Sequence, residues 1–410
     1  MDKKKLKKYA EVLVRVGINL KEKDGVVIYS NIDALPLLRE VVRACWRAGA
    51  KDVITQLTDN DFTLAKYEEG HDYVFDYYPE FEVVYSESIM KENYHSISIG
   101  APTLELLKNV NLDYQRRAQA AAMKSQERLN KYMDSGKVKW VAASYPTTAW
   151  SKTVFPNMPE EEAIEALWDK IFEASRVNEE EPVKAWEEHE ANLKAYEKWL
   201  NDQAFEYLKY EGPGTNLTVY LAEKHKWVGG SSETPGGVKY IANIPTEEIF
   251  TAPHAIKVHG VVKSTKPLSR MGHIIKDFSF VFEDGKVVEV KADENQEILE
   301  HLMDMDESAS RLGEVAIVPN SSPISQMGLL FRSTLFDENA SCHFALGDSY
   351  AETILNGENL SEDERKALGA NKSMIHIDFM VGGPELFITG YKKDGTAVPV
   401  LKNGEWAMKL

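Results

Sequence analysis

Residues 25–57 read GVVIYSNIDALPLLREVVRACWRAGAKDVITQL, and their pattern sets the fold class of the first half of the chain. Residues 25–30 are a short apolar run behind a Lys-Asp-Gly turn, which suits a buried strand. Over residues 33–49, Leu37, Leu38, Val41, Val42, Cys45 and Trp46 recur at helical spacing. Asp33 is placed to cap that helix and Gly49 to end it. Residues 52–57, DVITQL, give a second strand. Strand, helix and strand with short connections make a βαβ unit, which implies a parallel sheet.

Working outward, residues 81–85 and 139–143 are further strand candidates, with a helical stretch over residues 112–132 between them. No GxGxxG or Walker A sequence opens any of these helices, so nucleotide binding has the shape but no motif. Residues 159–210 carry Trp186, Leu193, Tyr196, Trp199 and Leu200 as an apolar stripe on a charged background. That pattern predicts helices that close the first domain and lead into a second. From Leu217 onward strand signals dominate. Phe278, Phe280 and Phe282 alternate with Ser279, Val281 and Glu283, Asp284-Gly285 offers a tight turn, and residues 286–291 return as a hairpin. A helix is expected over residues 296–305 and strands over 240–244, 314–319, 372–382 and 387–391. The predicted architecture is an α/β N-terminal domain with a parallel sheet, residues 1–185, and a strand-rich α+β C-terminal domain, residues 186–410.

Composition narrows the classes of function. Of the 410 residues 43% are hydrophobic and 28% charged, enough apolar material for large cores. Mean hydropathy is -0.38, and no run approaches the roughly 18 apolar residues of a membrane span. The basic start has no continuous apolar segment behind it, so it reads as a first helix and not as a leader, and a cytoplasmic protein is expected. The balance of 48 basic to 65 acidic residues gives a net charge of -17, which repels phosphates and disfavours nucleic acid. Residues 160–202 hold 14 acidic and 5 basic side chains, the pattern of a solvated face. The two cysteines, Cys45 and Cys342, are too far apart in sequence and too few for a disulfide framework or a zinc ribbon.

Chemistry concentrates in four segments of the second half. In KSMIHIDFMVG, residues 372–382, strand alternation puts Ile375, Ile377, Phe379 and Val381 on one face, with Met374, His376, Asp378 and Met380 on the other. His376 and Asp378 thus project side by side, either as a metal-ligand pair or as a hydrogen-bonded structural pair. LFDENASCHFALGDSY, residues 335–350, adds Glu338, His343 and Tyr350 in a polar, turn-rich setting. Cys342 lies beside His343, but adjacent side chains point apart, and a small buried thiol is the simpler reading. Glu314 enters the apolar strand GEVAIVP, and Glu247 and Glu248 follow a Pro-Thr in IANIPTEEIFTAPH. The latter pair also fits an ordinary helix N-terminus. His189 and His225 lie among polar and charged residues, and the other histidines show no ligand pattern; surface or satisfied core positions are expected for them.

Together these segments resemble the thermophilic-type metallo-aminopeptidases, the family of aminopeptidase T, aminopeptidase S and PepS. The resemblance spans nearly the whole chain. It runs from KYAEVLVRVGINLKEKDGVVIYS through NIPTEEIFTAP, SRMGHIIKDFSFVFEDGKVVE, GEVAIVPNSSPIS, LFDENASCHFALGDSYAE and MIHIDFMVG, in order. It implies an N-terminal α/β domain, a C-terminal metal-binding domain, and a homodimer whose sites face an enclosed cavity. It also implies release of N-terminal amino acids from short peptides by a water activated between two divalent metal ions. The positions that match the metal ligands are Glu248, Glu314, Glu338, His343, His376 and Asp378, with Glu248 preferred to Glu247 on the motif match. Tyr350 matches a tyrosine near the metals, as a weak ligand or a transition-state hydrogen-bond donor, and Glu314 or Glu338 is expected to bridge the ions. Four carboxylates balance two dications, and a donor set of oxygen and nitrogen without thiolate suits zinc, cobalt or manganese. The competing readings are a dinuclear metallohydrolase with a non-peptide substrate, a binding protein in which His376 and Asp378 are structural, and a Cys342 nucleophile.

Overall fold

Val26, Val27 and Ile28 are at most 1% exposed in strand β1, Gly25–Asn31. They are buried because β1 lies inside a four-stranded parallel sheet with neighbours on both sides. Its companions are β2 (Asp52–Thr58), β3 (His95–Gly100) and β4 (Trp140–Ser144), in the order β2-β1-β3-β4. This computed structural model describes residues 2–410 except 104, 105, 130, 131, 133, 134, 271 and 272.

The first crossover helix is Leu35–Arg47, preceded by a turn in which Asn31, and not Asp33, accepts the free N–H, that of Asp33 itself. Leu37, Leu38, Val41 and Cys45 are buried, whereas Trp46 is 51% exposed. One further residue rotates the side chain about 100° away from Cys45, off the core-facing stripe. Gly49 follows in the left-handed region, at φ 92°, and the chain turns into β2.

Residues 81–85 are not a strand. They lie in the helix Glu80–Lys91, which opens after Pro79 with Glu80 and Glu82 in its first turn and buries Val83 and Ile89. Phe81, Val84 and Tyr85 are exposed, so the apolar run that suggested a strand is a helix seen from two sides. The third strand is β3, which the more polar HSISIG did not announce. The helical stretch expected over 112–132 is the helix Leu112–Gln126 with a short turn at Glu127–Leu129; residues 130 and 131 lie outside the described residues. The acidic stretch forms the helices Glu160–Ala174 and Pro182–Gln203, with Trp186 and Leu200 fully buried, and its end at Tyr207–Gly212 is already a strand.

The chain divides into two compact units, Met1–Glu187 with Ser231–Pro245, and Glu188–Gly230 with Thr246–Leu410. The second unit holds an antiparallel eight-stranded sheet and an antiparallel five-stranded sheet. Ser279–Glu283 and Lys286–Lys291 form the expected hairpin, with Asp284 and Gly285 both at positive φ in the turn. Phe278, Phe280 and Phe282 point to one side and are at most 1% exposed. Phe280 meets Phe379 of the smaller sheet with ring centres 5.1 Å apart, and Tyr210 meets Phe344 at 4.8 Å. The two sheets therefore share one core, which takes one face of the five-stranded sheet and leaves the other for polar side chains.

Candidate metal centre

Three neighbouring strands of the smaller sheet build the centre: Leu312–Ile317, His343–Gly347 and His376–Met380. Their register sets Glu314 opposite Ala345, and Ala345 opposite Asp378. His343 and His376 are each two residues from that row, on the same face and on opposite sides of it. Ala345 stands between the two carboxylates, where a larger side chain would fill the space they face. Ile375, Ile377, Phe379 and Val381, the alternate set of the last strand, all enter the hydrophobic core as the alternation predicts.

The donor atoms fall into two tight groups, Glu248 with Glu314 and His343, and Glu314 with His376 and Asp378. Glu314 belongs to both. Its Oε1 lies 3.4 Å from His343 Nε2 and its Oε2 lies 3.7 Å from His376 Nε2. Glu248 Oε2 lies 3.0 Å from His343 Nε2, and Asp378 Oδ1 lies 3.2 Å from His376 Nε2. Glu247 turns the other way, to His189, at 3.5 Å. His189 is therefore an inward-facing residue, and its Nε2 also lies 2.9 Å from the Thr246 carbonyl oxygen.

Glu338 sits in the turn Glu338–Ala340 and is outside both tight groups, but it is close enough for Glu248 and Asp378 to act on its charge. Burial, with those two carboxylates added, holds its carboxyl well above the usual range. Burial also raises Glu314, against the pull of His343. Asp378 goes the other way: burial pushes it up, but its hydrogen bond with His376 and the positive charges of His376, His343 and Arg270 together hold it below its ordinary value. Burial disfavours charge on both imidazoles, but the facing carboxylates win: His343 is pushed well up and His376 to about 9. Tyr350 packs its ring 4.8 Å from that of His376, and desolvation with four nearby carboxylates keeps its phenol protonated.

The protons on the imidazoles test whether a cation fits. His343 Nδ1 lies 3.0 Å from the Ser341 carbonyl oxygen, and His376 Nδ1 lies 2.8 Å from that of Asp348. A carbonyl only accepts, so each Nδ1 carries the proton and a neutral ring presents a bare Nε2 lone pair. Both lone pairs face carboxylate oxygens. Such contacts repel unless an extra proton or a metal ion lies between, and backbone-oriented imidazoles are the usual company of a bound metal. The residues present thus fit divalent cations.

Several contributors carry no signal in the sequence. Asn339 is fully buried; its Oδ1 accepts from the Glu247 N–H at 2.7 Å while its Nδ2 donates to Leu335 O at 2.9 Å and faces Glu338 Oε1 at 3.4 Å. It ties the Glu248 segment to the Glu338 turn. Gly313 sits at a register shift in its strand, and a Cβ there would stand 2.1 Å from the Asp348 carbonyl oxygen that holds His376. Gly313→Ala is therefore expected to weaken metal binding at least about tenfold, the scale of orienting contacts. Competition with a chelator measures this, and an unchanged affinity would contradict the packing argument. Cys342 is 1% exposed, donates to Val318 O at 3.2 Å, and burial pushes its thiol up to about 11, so it is an inert core residue.

Comparison with known proteins points to a metalloprotease. Residues 2–406 match the family model described as thermophilic metalloprotease (M29). The chain is 41% identical to aminopeptidase AmpS of Bacillus subtilis (strain 168), over 98% of each chain. It is 39% identical to aminopeptidase 2 of Geobacillus stearothermophilus, over 99% of this chain and 98% of the relative. A solved structure, wild-type AmpT from Thermus thermophilus, superposes with a TM-score of 0.93 at 34% identity, covering 99% of this chain and all of that one. With residues 2–406 matched by the family model and relatives 39% and 41% identical along nearly the whole chain, the chain belongs to the thermophilic metalloprotease (M29) family.

Proposed function

We propose that this chain is an aminopeptidase that removes N-terminal residues from short peptides with two divalent ions, zinc, cobalt or manganese, held by Glu248, Glu314, Glu338, His343, His376 and Asp378. The observation that carries the reading is the sharing of Glu314 between two ligand groups, in a chain whose curated relatives are named aminopeptidases. When bound, such ions supply Lewis acidity and lower the pKa of a water toward neutrality.

The chain's own residues do the rest. Glu314 offers one oxygen to each group and fixes their separation. One carboxylate of the centre, Glu314 or Glu338, takes a proton during attack and returns it to the leaving amine. Tyr350, protonated at working pH, donates to the oxyanion that develops on the substrate carbonyl. The substrate α-ammonium binds among the carboxylates, which favours exo- over endo-cleavage. Tyr350→Phe is expected to lower kcat by about a hundredfold with metal content unchanged; loss of metal or full activity would count against the donor role.

Hydrolysis of leucyl-anilide beside its N-acetylated form and a phosphoester tests the whole reading. Cleavage of the free amine alone supports it. Rapid cleavage of the acetylated anilide removes the α-ammonium argument, and cleavage of the phosphoester alone would replace the peptide substrate. No described helix is long and apolar enough to cross a membrane. The reading includes a cytoplasmic homodimer, for which light scattering on the purified protein is the direct measurement.

A further inference from the structure

The amino-terminal edge of the parallel sheet in the first unit carries a concentration of positive charge. The segments that lead into β1, β2 and β4 bring Lys21, Lys23, Lys51, Lys137 and Lys139 to one cavity of about 270 Å³. At its base Lys139, with a side chain 3% exposed, donates to Asp24 Oδ2 at 2.8 Å and to the Asn19 carbonyl at 3.0 Å. His95 Nε2 lies 3.1 Å from the same Asp24 oxygen, and His95 Nδ1 accepts the Lys139 backbone N–H. Asp24 is thereby fully engaged, and burial together with Lys139 holds the imidazole neutral.

The rim is not balanced in this way. Lys21 donates to the neutral Asn19 side chain at 2.8 Å, and Lys51 lies over the Tyr94 ring at 4.8 Å. Among the described residues neither of these, nor Lys23 nor Lys137, makes an ion pair, and Glu92 is the acid that faces them on the lining. The Thr234 hydroxyl, which accepts from the Val238 N–H, keeps its own proton to donate into the cavity. Four ammoniums without carboxylate partners converge here although the chain as a whole carries -17. Gathering like charges is unfavourable unless a counter-charge joins them, and flexible lysines take an oxyanion as point charges without demanding one geometry.

We propose that this cavity binds a small multivalent oxyanion of the pyrophosphate class, with Lys23 and Lys137 as its principal contacts. The test is calorimetric titration of the metal-loaded protein with pyrophosphate, with ionic strength held constant by sodium chloride, and with sulfate as a competitor that binds metals poorly. One pyrophosphate per chain is expected, displaced by sulfate. Lys23→Glu with Lys137→Glu should weaken binding at least tenfold, and the milder Lys23→Gln with Lys137→Gln should weaken it in the same direction if charge reversal harms folding. Glu314→Gln, which disables the metal centre, should leave the titration unchanged. A titration that is not saturable, that is unaltered in both lysine variants, or that disappears in Glu314→Gln because the anion was held by metal, overturns the proposal.

Discussion

Glu314→Gln is expected to lower kcat/KM by at least about a thousandfold, about 4 kcal/mol of transition-state stabilisation, and to reduce bound metal at both ligand groups together. The reason is geometric. Its two oxygens face two different imidazoles, at 3.4 and 3.7 Å, so one side chain serves both groups. A carboxamide keeps the shape but loses the charge and turns one acceptor into a donor. The fold should tolerate the change, because a carboxylate that burial already pushes toward its neutral form costs little to replace by a neutral isostere. Metal content by mass spectrometry, measured beside anilide hydrolysis, gives the answer. Two ions retained with activity within tenfold of the parent would refute the shared-ligand geometry. Glu247→Gln is the matched control, since that carboxylate faces His189, and both ions should remain bound.

Metal removal is expected to destabilise the second unit and to do so more strongly as pH rises. Without cations Glu314, Glu338, His343 and His376 all have folded-state pKa values above their ordinary ones. A raised group contributes stability that is fully present below its unfolded pKa and is lost as pH rises through its folded pKa. For His376 that window runs from about 6.5 to about 9. Its share alone is on the order of 3 kcal/mol, or roughly 7 °C of melting temperature in a unit of this size. Asp378 has the opposite sign, but its lowered pKa confines its effect below the usual carboxylate range, outside this window. Bound metal reverses the trend, because its ligands must be deprotonated and its affinity grows with pH. Melting curves of chelated and reloaded protein at pH 6.5 and 9 decide the matter. A chelated protein equally stable at both values would mean that the imidazoles are not charged by their carboxylate neighbours.

The fold was legible where pattern and burial agree. The βαβ unit reads directly because Val26, Val27 and Ile28 are buried on both faces and Leu37, Leu38, Val41 and Cys45 line one helix face. The hairpin at Asp284-Gly285 reads because period-two aromatics flank a turn that needs positive φ. The helix Glu80–Lys91 did not read as one, since Phe81, Val84 and Tyr85 are exposed and blur its stripe. Trp46 misled for the same reason: apolar character alone does not say which way a side chain faces.

What the sequence determined by itself is the donor chemistry and its local direction. Alternation along one strand puts His376 and Asp378 on a common face, and their Nε2 to Oδ1 distance is 3.2 Å. What only the tertiary structure decided is everything that depends on one strand lying beside another. Antiparallel register lines up Glu314, Ala345 and Asp378, although 64 positions separate the first from the last. A register shift at Gly313, a buried Asn339 and two backbone carbonyls then fix which way Glu248, His343 and His376 point. Periodicity acts within a strand, over a few residues. The approach of charges that gives a metal centre its affinity acts between strands, where only packing and hydrogen-bond register set the distance.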